Sequence, residues 1–153
     1  MAKESKYKVA LKLGDREIPV ILTAYETKDI QQDIGCTVAQ LWDQVFGIEK
    51  VLEDENERTI FHVIDNPDMQ RKLGTLIRIC GNAGLEEYGE EPFLTDKWVL
   101  RHIKPSRIIG YALAMMGLIN MEMYQESSAM AEGNSGPVDE ILEEENRKKE
   151  QGN

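Results

Sequence analysis

Residues 8–22 read KVALKLGDREIPVIL. Two alternating apolar runs flank Gly14-Asp15, a dipeptide suited to the two central positions of a type II′ or I′ turn. A two-residue turn fixes the register. Leu13 faces Arg16, Leu11 faces Ile18, Val9 faces Val20 and Tyr7 faces Leu22, so both alternations put their apolar side chains on one side. Pro19 has no amide hydrogen and belongs where its nitrogen points away from the partner strand. Because a lone hairpin is marginal in water, helices elsewhere in the chain must cover its apolar face. The expected fold class is α+β: an N-terminal β-hairpin (residues 7–22) packed on a mostly α-helical domain, with a charged C-terminal helix or tail.

The helices that would cover it follow in order. Residues 27–34 read as a short helix ended by Gly35, and Thr37 with Gln40 has capping-box spacing for a second helix that buries Val38, Leu41, Trp42 and Val45 and stops at Gly47. Residues 48–65 carry a weaker signal: EDENE at 53–57 reads as a solvated acidic turn, and 59–64 as a short strand or extended piece in preference to the start of a helix. Asn66-Pro67 opens a third helix, with Met69, Leu73, Leu76, Ile77 and Cys80 at helical spacing and Gly81-Asn82 as its end. A loop at 83–94, AGLEEYGEEPFL, carries Glu86, Glu87, Glu90 and Glu91, either as solvated charge or as contacts for a basic partner. Thr95 caps a helix over 96–103 with Trp98 and Val99 inward, and Lys104-Pro105 breaks the chain.

The next helix, residues 105–125, reads PSRIIGYALAMMGLINMEMYQ and is apolar on almost every side. At about 100° per residue, Ile108, Ile109, Ala112, Met115, Met116, Ile119 and Met123 form one broad stripe suited to a core. Ser106, Gly110, Leu113 and Gly117 line up opposite, a seam whose lack of bulk lets a second helix approach. Leu118 and Met121 lie off the core stripe, and flexible thioethers suit surfaces that accept varied apolar segments. Gly110, Leu113, Gly117, Leu118 and Met121 are therefore the candidate residues for partner binding or self-association, against the alternative that the domain's own helices bury them. The globular domain is expected over 1–126, a linker over 127–137, and a charged helix over 138–153 with Glu143/Arg147, Glu144/Lys148 and Glu145/Lys149 paired at i,i+4.

A chain of 153 residues is long enough for one core. Its formal charge of −10 argues against nucleic acid or anionic membrane as partner, since both need clustered positive charge. Cys36 and Cys80, each in an apolar neighbourhood, read as reduced core thiols rather than a disulfide framework. The N-terminus has no apolar signal segment, and the apolar run 108–119 is too short to span a bilayer. His62 and His102 stand in no metal-ligand spacing, the glycines form no phosphate-binding loop, and the acidic run 54–57 lacks the alternating oxygen ligands of a calcium loop. No cofactor, no metal and no catalytic set are expected.

The segments KVALKLGDREIPVILT (8–23), LGTLIRICGNAGL (73–85) and LTDKWVLRHIKPSRIIGYALAMM (94–116) give the chain a layout that resembles the tail assembly chaperones of long-tailed bacteriophages. The resemblance covers 7–125; residues 48–65 and the acidic tail have no counterpart in it. It implies a non-catalytic protein that binds the long helical tape-measure protein, keeps it from aggregating, helps recruit tail-tube subunits and is displaced. It also implies a place in the cytoplasm of the bacterial host rather than in the mature virion, and in this class a longer frameshifted product often shares the N-terminal domain. The alternatives are a structural tail or head-completion subunit retained in the virion, or a small intracellular adaptor unrelated to phage.

Overall fold

The structure, a computed structural model, describes residues 6–125. The chain divides into two compact units, Met1–Leu118 and Ile119–Asn153. The linker expected at 127–137 and the charged helix at 138–153 lie outside the described residues. Within the first unit the architecture is α+β, with two antiparallel hairpins and a set of helices centred on one long helix.

Strands β1 (Ala10–Leu13) and β2 (Arg16–Pro19) pair in the register that the turn dictates, Leu11 with Ile18 and Leu13 with Arg16. Of the two turn residues only Gly14 has positive φ, at +62°, which is the type II′ pattern. The Val20 amide donates to the Val9 carbonyl at 3.1 Å, so by the alternation of an antiparallel ladder the Ala10–Pro19 pair is a non-hydrogen-bonded one. Pro19 thus costs the ladder nothing. Leu11, Leu13, Ile18, Val20 and Leu22 are all buried, forming the sheet's contribution to the core.

Helix α1 (Ala24–Asp33) begins three residues before the expected start at Thr27. Its capping box is Thr23 with Glu26: the Thr23 amide and hydroxyl both donate to Glu26 Oε1, at 2.7 and 2.6 Å. This reciprocal pairing also satisfies the carboxylate of Glu26, which is buried. The helix ends at Gly35 with φ +89°. Thr37 and Gln40 form the expected reciprocal cap, but α2 (Leu41–Gln44) is a single turn, with Leu41, Val45 and Phe46 fully buried.

Residues 48–61 form a second hairpin, where only one short strand was expected. Strands β3 (Ile48–Glu53) and β4 (Asn56–Phe61) pair directly across Asp54-Glu55, both at positive φ (48° and 70°), a type I′ pattern built without glycine. The ladder runs on into the core: the His62 amide donates to the Gly47 carbonyl at 2.9 Å and Val63 to Phe46 at 3.3 Å. A 3₁₀ turn at His62–Ile64 then leads to the next helix.

Helix α3 (Pro67–Glu87) opens on the Asn66 cap, whose side chain accepts from the Met69 amide at 3.0 Å. It does not stop at Gly81-Asn82. A Cβ on Gly81 would lie 2.5 Å from Leu94 Cδ1, and one on Gly84 would lie 2.1 Å from the Pro19 carbonyl oxygen. These glycines therefore let β2 and the segment before α4 lie directly on the helix. The Ile21 amide donates to the Cys80 carbonyl at 3.2 Å, and Asn82 bonds both backbone groups of Leu94, at 2.9 and 3.1 Å. Consequently Glu86 and Glu87 are helical, and the loop expected from 83 starts only after them. The helix closes at Gly89 (φ +73°) with the Gly89 amide on Glu86 and the Glu90 amide on Leu85, a Schellman pair.

Helix α4 (Asp96–Arg101) is capped by Thr95 and ends two residues before the expected 103. Its Leu100 fills the space that a Cβ on Gly74 of α3 would take. Arg78 of α3 fastens three helices, donating to Asp33 of α1 at 3.0 Å and to Asp96 of α4 at 2.5 Å. After a 3₁₀ turn at Pro105–Arg107 comes α5 (Ile108–Ile119), followed in the second unit by a π-helical turn, Asn120–Gln125. No helix among the described residues is long and apolar enough to cross a membrane.

Candidate partner-binding face

Helix α5 buries Ile108, Ala112, Met115, Leu118 and Ile119, leaves Ile109 and Met116 half-buried, and leaves Met123 beyond it 37% exposed. The buried arc is rotated from the expected stripe toward the side that carries Tyr111 and Leu118. The cause is a specific fastening: the Tyr111 hydroxyl donates to the Lys12 carbonyl, drawing that side of the helix against β1. Leu118, expected as a partner contact, is therefore corrected to a core residue, 2% exposed. Met121 is half-buried.

Opposite the buried arc the seam lies open. Ser106, Gly110, Leu113 and Gly117 are all exposed, Leu113 at 49%, and a Cβ on Gly110 or Gly117 would meet nothing within 4 Å. In contrast with Gly74, Gly81 and Gly84, these two glycines accommodate no neighbour among the described residues. Beside them runs a groove of about 210 Å³ between β1 and α5, lined by Ala10, Leu11, Lys12, Arg107, Gly110, Tyr111 and Ala114. Below it, a mainly apolar hollow of about 350 Å³ is lined by Pro67, Leu73, Leu100, Ile103, Pro105 and Ile108. A helix face bare of side chain at Gly110 and Gly117 can seat an apolar helix at short interaxial distance.

The four glutamates do not behave as one unit. Glu86, Glu87 and Glu91 are exposed, whereas Glu90 is half-buried and engaged within the chain. Its carboxylate accepts from the Tyr7 hydroxyl at 2.6 Å and lies 3.7 Å from Lys6 Nζ. The hydrogen bond to Glu90 pushes the Tyr7 phenol above its ordinary pKa. Tyr7 packs edge-on against Tyr88 at 4.7 Å, and the Lys8 amide donates to the Tyr88 hydroxyl at 3.1 Å. Together these contacts pin the start of the hairpin to the end of α3.

The groups with potential for chemistry are placed structurally. Cys36 and Cys80 are free and buried, and burial pushes both thiols above the ordinary range. His102 stacks on Trp98 at 3.9 Å with Nδ1 2.7 Å from the Trp98 carbonyl, and His62 Nε2 lies 3.6 Å from Glu49. Among the described residues no three His, Cys, Asp or Glu side chains are grouped to hold a metal ion. A feature that sequence reasoning missed is a basic cleft between the β1–β2 turn and the start of α5, which brings together Lys12, Lys104 and Arg107. Its signal was present at 97–107, KWVLRHIKPSR, where four cations occur without one acid. Compared with known protein families, curated proteins and solved structures, the chain matches none.

Proposed function

We propose that the protein is a non-catalytic tail assembly chaperone of a long-tailed bacteriophage, acting in the host cytoplasm on the tape-measure protein and helping to recruit tail-tube subunits. The observation that supports a binding role is the open face of α5, where Gly110, Leu113 and Gly117 are exposed and neither glycine has a neighbour among the described residues. An apolar helix of this kind, left uncovered on one side, matches a partner that is itself a long apolar helix. The name of the partner comes from the resemblance of residues 8–23, 73–85 and 94–116. The exposed carboxylates Glu86, Glu87 and Glu91 serve as solubilising charge around the complex.

Co-expression tests the reading. The tape-measure protein should be recovered in the soluble fraction with this chain and should aggregate without it; equal solubility in both cases contradicts a chaperone role. Mass spectrometry of purified particles separates this reading from a retained tail or head-completion subunit, since a chaperone is depleted from the virion and a structural subunit is present in stoichiometric amount.

A further inference from the structure

The chain carries 28 acidic and 18 basic residues, so a lysine or arginine has an excess of carboxylates available to it. On α3 and the second hairpin, Lys50, Arg58, Arg71, Lys72 and Arg78 each lie within 4 Å of an Asp or Glu. Lys12, Lys104 and Arg107, like Lys28, Lys97 and Arg101, have no ion pair among the described residues, and they differ from those three in lining a single cleft of about 490 Å³. Asp15 is the one carboxylate in the lining, and Glu17 faces Lys12 across the β1–β2 pair, so three cations stand against two nearby carboxylates, a net of +1 before any protonation of His102. Concentrating like charge in a concave site raises its potential and is opposed by mutual repulsion.

The cleft is also held in shape. The His102 ring lines it, stacked on Trp98 with Nδ1 bonded to the Trp98 carbonyl, and sits 2.9 Å from where a Cβ on Gly14 would be. Gly14 is thus doubly required, for its φ of +62° and for the approach of the imidazole. One wall is Tyr111, fixed by its bond to the Lys12 carbonyl, which in turn positions Lys12 against the Arg107 end of α5. A guanidinium and two ammonium groups around a preformed hollow suit carboxylates, which an arginine fork binds through two parallel hydrogen bonds.

We infer that this cleft binds an acidic peptide segment of a protein partner, by its carboxylate side chains. The inference does not depend on the phage reading. Its volume exceeds what a single oxyanion needs, and an overall charge of −10 disfavours a nucleic acid, whose dense phosphates require a longer track of cations. A peptide with spaced glutamates carries less negative charge per unit length than a nucleic acid, and so meets the local field with less repulsion from the rest of the molecule.

Fluorescence anisotropy on the full chain at low salt tests this, with a short fluorescein-labelled Glu-Ala repeat peptide as probe and a labelled oligothymidylate as comparison. Saturable peptide binding is expected, weakening as salt is added. The paired change Lys104→Glu with Arg107→Glu should weaken it by about tenfold or more. Lys97→Glu with Arg101→Glu changes net charge by the same amount outside the cleft and should shift binding by less than about threefold. Circular dichroism melts establish that both double variants are folded. The inference is overturned by absence of saturable peptide binding to the native chain, by equal losses in the two double variants, or by tighter binding of oligothymidylate than of the peptide.

Discussion

Glycine has opposite meanings at different positions of this chain. Gly84 is where a strand carbonyl meets a helix backbone, and a Cβ there would lie 2.1 Å from the Pro19 oxygen, an atom that cannot rotate away. Gly84→Ala should therefore destabilise the protein by about 3 kcal/mol, as overpacking against immovable atoms does. Gly117 has nothing within 4 Å, so Gly117→Ala should stabilise α5 by up to about 1 kcal/mol through helix propensity alone. Urea denaturation of the two single variants checks the pair; similar effects would mean that the packing assigned to α3 is wrong. From sequence, both kinds of glycine look alike. Gly81-Asn82 read as a helix end because the residues that need its bareness, Ile18 and Leu94, are distant in the chain. The Thr23/Glu26 capping box, by contrast, has a legible Thr-x-x-Glu spacing, and it starts α1 three residues ahead of Thr27.

At the level of elements, the first hairpin was readable in detail because Gly14-Asp15 and a clean alternation specify the same register. The second was not. Its turn residues, Asp54 and Glu55, adopt positive φ without glycine or asparagine, and its strands have exposed positions on both faces, with Leu52 75% exposed, so no period-2 burial signal exists. Such a turn is a local cost borne by the hairpin's pairing. Replacing Glu55 by glycine should remove about 1 kcal/mol of that cost. Hydrogen exchange should then show the β3–β4 amides protected about fivefold more strongly, with α3 amides unaffected. Unchanged protection of β3–β4 would indicate that these residues do not hold the left-handed conformation in solution. The rotation of α5 has a related origin: periodicity located an apolar arc, but a single tyrosine bonded to a strand 99 residues away in sequence decided which side of that arc is buried.

For the molecule as a whole, the first unit closes one core around α3 and leaves two surfaces of contrasting chemistry, an apolar small-residue face and a basic cleft. The candidate face was partly legible: Gly110, Leu113 and Gly117 were identified from spacing and are exposed, whereas Leu118 belongs to the core and Glu90 to an internal contact. The cleft was hidden by averaging, since a chain-wide charge of −10 conceals a local excess of cations drawn from positions 12, 104 and 107. Both surfaces include parts of α5, so a partner with an apolar helix and an acidic flank would use them together.

The open face makes a quantitative demand on binding. Gly110→Leu with Gly117→Leu adds bulk to the seam without meeting any atom of the chain near either Cβ, so the fold should persist while helix approach is blocked. Titration of an apolar helical segment of the tape-measure protein into the native and doubly substituted chains measures this directly. An affinity lower by about tenfold or more, roughly 1.4 kcal/mol, is expected, with a melting transition at or above that of the native chain. Equal affinity for the two chains would contradict a partner-binding role for this face of α5.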